Sequence, residues 1–394
     1  MPEDLDILLQ QLADESRAVR TIALAGLSDL PRAEATETYA LLASLSPRRR
    51  LELVSVLAEQ AEANVQLNFL AVMRECLNDR EAPVRKVAVD GLWEDERTSL
   101  VGPLVRLLTE DPAPEVRAAA AVSLGRFVLL GVLGEISDSY AERVARALRG
   151  AWSRPGEVVE VRRRALEGLA YTDEDGVEEL IEAAYYDEND LMRQSAVFAM
   201  GRTADRRWAR IVMTELGSGD PGMRYEAAGA AGELALTPAV KPLIRLLDDA
   251  DSSVRETAAM ALGKIGGRDA RHALQACLES SDRGLAEAAT DALDELAFNS
   301  ETLDTPLIDY NPRAGRAGPA GEDDLDEDDD EAEADDEDEN AWADDEFGGD
   351  DEDEWADDEL GVDGEADWDG EDEDDDEDDF DDDSEDDLDW PRRR

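Results

Sequence analysis

Arginine residues recur along the first three-quarters of the chain in one short pattern: an aliphatic residue, arginine, two variable residues and alanine. Seven copies contain the arginine, at Arg20, Arg85, Arg117, Arg162, Arg193, Arg224 and Arg255. In five copies an aspartate stands six residues earlier, at Asp14, Asp79, Asp111, Asp187 and Asp249. A guanidinium is a rigid fork of N–H donors that suits a carboxylate or a set of turn carbonyls. We therefore predict a structural ladder of these arginines between successive elements, with ligand binding as the alternative.

Removing a ladder arginine would leave its carboxylate partner unpaired at a poorly hydrated seam. The ladder hypothesis therefore predicts that Arg193→Ala destabilises the fold.

Residues for catalysis or metal binding are scarce. The chain has one histidine, His272, and two widely separated cysteines, Cys76 and Cys277, without the spacing of a zinc or redox site. Neither a Ser-His-Asp set nor a Gly-rich phosphate loop is evident. We therefore predict a protein that is not an enzyme, with no catalytic residue, no metal and no cofactor.

A second group of arginines follows an unusually long gap in the pattern. The separation from Arg117 to Arg162 is 45 residues, whereas three later separations are 31. Within this gap Arg143, Arg146 and Arg149 are spaced by three and fall on one helical stripe, and Arg163 follows shortly after. These four residues are candidates for binding an acidic group. The alternative is an elongated helix pair with a solvated basic face.

The recurrence near 31 residues indicates stacked supersecondary units, none of which can bury its apolar face alone. A degenerate copy at Arg50 fills the one double-length gap. Each unit has aliphatic residues at helical spacing, such as Leu104, Leu107 and Leu108, before an aspartate-containing turn and a second helix. Glycines near the second-helix ends, at Gly26, Gly125, Gly201 and Gly263, suit helix stops. We predict an all-α, right-handed α-solenoid of about eight helical hairpins over residues 1–298.

The Asp…Val-Arg-x-x-Ala…Leu-Gly pattern resembles HEAT repeats, especially the short bacterial type named after phycobilisome lyases. This resemblance covers residues 1–298 and implies the solenoid fold and an Asp–Arg ladder. The family also includes deoxyhypusine hydroxylases, which hold two irons with several His-Glu pairs. No His-Glu dipeptide occurs here, since His272 precedes Ala273, and nothing beyond the repeat points to lyase chemistry.

The remaining residues differ from the repeats in composition. Residues 299–321 contain three prolines and predict a linker. Residues 322–390 hold 46 Asp or Glu and no Lys or Arg, so residues 322–394 are predicted to be a disordered acidic tail. Aromatic residues interrupt the acids, and Trp342, Trp355, Trp368 and Phe380 are candidate partner-binding residues. The alternative is a solubilising, self-repelling segment.

Taken together, these features favour a non-catalytic scaffold for protein–protein interactions whose acidic tail binds or masks a basic surface. That surface belongs to a partner protein or to the arginine cluster of the same chain. The net charge of −62 disfavours nucleic acid as the main partner. No apolar run reaches membrane-spanning length, and the acidic start lacks a signal-peptide core, so we expect a cytoplasmic protein without membrane contact. The alternatives are a lyase-like or metal-dependent enzyme, and an acidic chaperone or nucleic-acid mimic acting through its tail.

Overall fold

The structure, a computed structural model, describes Leu12, residues 24–172 and residues 176–304, with side chains described as far as residue 298. Within these residues sixteen α-helices occur and no strand, which confirms the all-α prediction. The helices form eight consecutive hairpins. Their bounds are α1 Arg32–Leu42, α2 Pro47–Ala63, α3 Leu70–Cys76, α4 Ala82–Asp90, α5 Val101–Glu110, α6 Pro114–Val132, α7 Asp138–Ser153, α8 Val159–Leu169, α9 Val177–Tyr185, α10 Asp190–Arg202, α11 Ala209–Glu215, α12 Pro221–Glu233, α13 Val240–Leu246, α14 Ser252–Ile265, α15 Arg268–Cys277 and α16 Arg283–Asp304.

The even-numbered helices are the second helices of the hairpins, and they pack side by side in one layer. Every neighbouring pair in this layer is in contact, from α2 and α4 to α14 and α16. From α3 onward each odd-numbered, first helix packs against the second helix of its own hairpin, whereas α1 packs chiefly against α3. Each hairpin therefore buries its apolar face against itself and its two neighbours, as stacked repeats require.

The starts of the second helices explain why the turns have the residues they do. Asn189, Asp220 and Asp251 each accept a hydrogen bond from a backbone N–H in the first turn of the helix that follows. Such caps satisfy donors that have no partner within the helix. Other second helices begin with proline in the first turn, as at Pro47 and Pro114, where no N–H is needed.

The glycines predicted as helix stops have a different role. Gly125 lies in the middle of α6, and Gly201 and Gly263 lie inside the last turns of α10 and α14. A Cβ atom on Gly201 would lie 2.7 Å from Cα of Ala230 on the next second helix. These glycines permit close packing between second helices. The helix-stop prediction was wrong for Gly125, which lies in mid-helix, whereas α10 and α14 do end within two residues of Gly201 and Gly263.

The long gap between Arg117 and Arg162 is accommodated by helix extension. Helices α6 and α7 have 19 and 16 residues, longer than either helix of the preceding hairpin. At the other end, α16 continues to Asp304, past the boundary predicted at residue 298. In the described part of the chain, no helix combines the length and apolar character needed to cross a membrane.

Candidate protein-binding face

The repeated arginines connect neighbouring hairpins at four described positions. The Arg85 guanidinium donates to both Asp111 carboxylate oxygens, at 2.7 and 2.8 Å, and its third nitrogen donates to the backbone carbonyl of Asp79 at 2.7 Å. Arg224 contacts Asp249 in the same way. Arg255 pairs with Asp282 and Arg117 with Glu157. The residue six positions before each arginine offers it a main-chain carbonyl; this residue is aspartate before Arg85, Arg117 and Arg255 and Ser218 before Arg224. The carboxylate partner comes from the next repeat.

Two predicted ladder arginines differ from this arrangement. Arg162 donates to the carbonyl of Trp152 and stacks on its ring, with 4.8 Å from the guanidinium carbon to the ring centroid. Arg193 contacts the carbonyls of Asp187 and Glu188, and its carboxylate partner is Asp190 of its own helix. The Arg193 side chain is 34% exposed, so the poorly hydrated seam expected there is absent. Arg20 lies outside the described residues.

The candidate arginines of the long gap do not form one site. Arg143 and Arg146 are exposed on α7 and form no ion pair with any described residue, whereas Arg149 is half-buried on the same helix. Arg163 lies in the second-helix layer, where Glu160 and Glu167 both pair with it. Its charge is therefore largely neutralised within the fold. The candidate tail residues Trp342, Trp355, Trp368 and Phe380 lie outside the described residues.

A groove runs across the exposed face of the second-helix layer and reaches the start of first helix α9 at Val177 and Glu178. Its residues recur five and nine positions after each repeated arginine, a spacing of four that places both on one helix face. The first set is Val122, Glu167, Phe198, Gly229 and Met260, and the second is Arg126, Tyr171, Arg202, Glu233 and Lys264. We call this surface the second-helix groove. Its composition changes from repeat to repeat, unlike that of the ladder.

Three clefts make up the groove, and they share walls. The first, of about 230 Å³, is lined by Val122, Gly125, Arg126, Leu129, Arg164, Glu167, Gly168, Tyr171 and Phe198. The second, of about 610 Å³, shares Leu129 and Tyr171 with the first. The third, of about 110 Å³, shares Phe198 with the first and Arg202 with the second. The shared walls make one continuous surface from α6 to α14, since Thr257 of α14 lines the third cleft.

The first cleft has an apolar and aromatic wall above a floor of glycine. Val122 is 54% exposed and Leu129 is 38% exposed, so aliphatic surface is open to solvent here. A Cβ on Gly125 would lie 3.1 Å from Cα of Gly168, so the two helices touch through their backbones. Because neither residue has a side chain, a depression remains between α6 and α8.

Arg126 contributes a positive charge to this cleft, and the acids Asp95 and Glu96 are close enough to act on it electrostatically. One of its terminal nitrogens donates to the Leu92 carbonyl at 3.0 Å and to Ser123 Oγ at 3.2 Å, while Nη1 is buried without a hydrogen-bond partner. No described carboxylate forms an ion pair with Arg126. Burial lowers the pKa of this guanidinium, an effect that a bound carboxylate would oppose.

The other cations of the groove are balanced within it. Arg202 lies over the rings of Tyr171 and Phe198, at 5.6 and 5.0 Å from their centroids. It also approaches Glu233, which in turn pairs with Lys264 at 2.7 Å. Arg126 therefore differs from Arg202 and Lys264 in having no acidic neighbour within ion-pair distance.

Glu226 is the groove's unpaired acid. Burial, with a contribution from nearby Glu167, raises the pKa of Glu226 to about 7. Because the folded-state pKa exceeds that of an exposed glutamate, stability decreases as pH rises from about 4.5 to 7, and the full cost remains above 7.

We expect Glu226→Gln to stabilise the protein by about 1–3 kcal/mol at pH 8 and to have little effect at pH 4.5. Urea denaturation at both pH values measures this, with the exposed Glu142→Gln as control. A gain that is equal at both pH values would contradict it.

The sequence analysis missed Arg126, Tyr171, Phe198 and Tyr225 as groove residues. A usable signal existed for Arg126, Tyr171 and Phe198, which stand five or nine positions after a repeated arginine and vary in type between repeats. Tyr225, directly after Arg224, lines the third cleft and is outside that pattern. Within the described residues, no three His, Cys, Asp or Glu side chains are grouped so that they could hold a metal ion. His272 is exposed on α15.

Comparisons with known proteins show what the repeats of this chain resemble. A family model described as HEAT repeats matches residues 70–160 and 210–294. No curated protein matches the chain. Human deoxyhypusine hydroxylase is similar at 20% identity over 75% of this chain and 96% of its own, with a TM-score of 0.31. The CpcE–CpcF phycocyanin lyase complex from Nostoc sp. PCC7120 is 20% identical over 68% of this chain and 95% of its own, with a TM-score of 0.43. Yeast importin-β is 13% identical over 75% of this chain and 46% of its own, with a TM-score of 0.43. None of these likenesses carries an argument about function.

Proposed function

We propose that this chain, a HEAT-repeat protein, is a non-catalytic scaffold that binds a protein segment in its second-helix groove. The observation that carries this proposal is the continuity of the three clefts through shared walls. Exposed apolar patches of this kind mark interaction surfaces when polar residues surround them. Here the aromatic and aliphatic walls alternate with arginine and glutamate, which supports recognition of a peptide with mixed character.

The groove suits an extended segment that runs across the repeats. Neighbouring second helices lie roughly 8–10 Å apart, and an extended peptide rises about 3.3 Å per residue. One cleft per repeat therefore corresponds to an anchor at roughly every third residue of the bound segment. Arg126 on α6 and Glu226 on α12 form no ion pair with a described residue, and their separation along this path would fix the direction of the segment.

The acidic tail gives the scaffold a second binding element. Residues 322–390 hold 46 acids and no Lys or Arg, and six aromatic residues interrupt them. A strongly basic partner would gain a long-range attraction to this segment, and aromatic side chains would add apolar contacts. We propose that the tail binds or masks a basic surface, in a cytoplasmic protein without a cofactor.

Alanine substitution in the groove tests the scaffold function. We expect Tyr225→Ala with Met260→Ala to reduce capture of the main partner from the source cell about tenfold or more, because anchor residues dominate binding energy. Both residues are exposed, at 41 and 49%, so the fold should be retained. The matched control is Tyr186→Ala, an aromatic that is 71% exposed and lies off the groove.

Two outcomes would favour the alternatives. Capture that survives the groove substitutions and disappears after deletion of 322–394 would indicate a chaperone or mimic that acts through the tail. Stoichiometric iron in the purified protein would indicate a metal-dependent enzyme.

A further inference from the structure

One contact between neighbouring second helices differs from all the others in the described part of the chain. We call such a contact a seam, and it includes the turn that begins the later helix. Six of the seven seams from α2 to α16 are crossed by an ion pair. In order along the chain these pairs are Arg50–Asp79, Arg85–Asp111, Arg117–Glu157, Arg202–Glu233, Arg224–Asp249 and Arg255–Asp282. The exception is the α8–α10 seam, where no ion pair joins two described residues.

The α8–α10 seam also lacks the glycine that brings other second helices together. Glycine stands eight positions after the repeated arginine in four other second helices, at Gly125, Gly201, Gly232 and Gly263. A Cβ atom on any of them would lie 2.7 to 3.1 Å from a Cα atom of the next second helix. The equivalent residue after α8 is Ala170, whose side chain is buried. Its methyl group occupies the space through which the backbones touch at those seams.

The polar contacts that do cross this seam are of other kinds. The Ser195 hydroxyl of α10 donates to Glu167 at 2.6 Å and accepts from Arg163 at 3.3 Å. Arg202 lies over the ring of Tyr171. The bidentate arginine–carboxylate contact, which fixes both distance and orientation, is missing. The α8–α10 seam is therefore the least constrained of the seven.

Both residues of a ladder contact are nevertheless present at this seam. Arg162 has the ladder position of α8, and Asp187 has the position from which Asp111 pairs with Arg85. Asp187 already accepts the backbone N–H of Asn189 at 2.8 Å, the turn contact that Asp111 also makes. It forms no ion pair with a described residue. Asp187 is thus placed in its turn like a ladder aspartate but lacks the arginine.

Trp152 is the present partner of Arg162. The guanidinium donates to the Trp152 carbonyl at 3.3 Å and lies 4.8 Å from the centroid of the indole ring. A stacked guanidinium cannot at the same time form a bidentate pair elsewhere. Arg162 therefore has two alternative partners, one within its own repeat and one in the next.

We propose that the α8–α10 seam is a hinge with two states, set by the partner of Arg162. In the open state Arg162 stacks on Trp152, as in this structure. In the closed state it pairs with Asp187 and draws α10 towards α8. Packed interfaces change between discrete arrangements of this kind, since intermediate positions lose contacts on both sides.

The hinge controls the width of the second-helix groove, because two of the three clefts lie across it. The first cleft has Glu167 on α8 and Phe198 on α10, and the second has Tyr171 on one side and Arg202 on the other. Closure narrows both clefts, and a segment bound in them holds the seam open. The device goes beyond the proposed function and can be measured without a partner.

Distances between spin labels, measured by double electron–electron resonance on the full chain, test the hinge. The first label pair, Glu110→Cys with Glu182→Cys, joins α5 to α9 and spans the α6–α8 and α8–α10 seams. The control pair, Thr214→Cys with Gln275→Cys, joins α11 to α15 and spans two seams that have both the ion pair and the glycine. All four positions are exposed. Cys277→Ser removes the half-buried native thiol, and the other native thiol is buried.

We expect Trp152→Leu to increase the population of a shorter distance between labels 110 and 182 about threefold or more. The substitution removes the cation–π contact of the open state, and a contact of this type has that effect on an equilibrium. Addition of Asp187→Asn should abolish the increase, because the amide carries no charge but can still accept the Asn189 N–H. The control pair should give one distance in all variants.

Three results would overturn the hinge. The first is a distribution between labels 110 and 182 that Trp152→Leu leaves unchanged. The second is an increase that persists after Asp187→Asn, which would assign the motion to loosened packing around residue 152. The third is equal broadening for the control pair, which would mean that all seams bend alike. The capture assay with Tyr225 and Met260 variants is independent of these distances, so the hinge can fail while the proposed function stands.

Discussion

Replacement of Arg85 by alanine is expected to lower the free energy of unfolding by about 3–5 kcal/mol, because it leaves a buried carboxylate without its partner. The Arg85 and Asp111 side chains are only 10 and 3% exposed, and the guanidinium makes two hydrogen bonds to that carboxylate. It also satisfies the carbonyls of Asp79 and Arg80 in its own turn. Urea denaturation followed by circular dichroism measures the loss.

Arg193→Ala is the matched control and should cost about 1 kcal/mol or less, because exposed ion pairs contribute little. Its partner Asp190 is 74% exposed and stays hydrated after the substitution. A loss at Arg193 equal to the loss at Arg85 would show that the contacts to turn carbonyls, which both residues make, dominate over the inter-repeat ion pair.

Substitution of Gly201 by alanine is expected to destabilise the fold by about 1–3 kcal/mol, the usual cost of inserting atoms into a packed interface. The new methyl group would lie 2.7 Å from Cα of Ala230 and 2.9 Å from its Cβ. Helices α10 and α12 would have to separate, and the neighbouring repeats would shift with them. This cost opposes the gain of about 1 kcal/mol that alanine normally brings inside a helix.

Gly150→Ala should have the opposite sign. Gly150 also lies within a helix, α7, but a Cβ there would meet nothing within 4 Å. We expect a gain of about 0.5–1 kcal/mol from the reduced freedom of the unfolded chain. The difference between the two variants in urea denaturation isolates the close approach of the second helices. Stabilisation by both would show that α10 and α12 have room to accept a methyl group.

The sequence by itself determined the repeat and its architecture. A period near 31 residues, with aliphatic residues at helical spacing, requires helical hairpins that bury their faces against one another. The same period identified the arginines, and Arg85, Arg117, Arg224 and Arg255 contact carboxylates of the next repeat. These features follow from local pattern wherever successive repeats pack alike, as they do at four of the six described ladder arginines, with Arg162 and Arg193 as the exceptions.

Only the tertiary structure decided which charged side chains remain available to bind a partner. Arg143 and Arg163 look alike in sequence, yet one is exposed and the other is held by Glu160 and Glu167. The groove combines residues from five second helices, so no single repeat contains the pattern. Arg126 became a candidate binding residue because no described acid lies within ion-pair distance of it. Gly201 became important for packing between repeats because Ala230 of the next second helix packs against it. Both facts depend on which residues of neighbouring repeats meet, and the repeat pattern leaves those variable positions free.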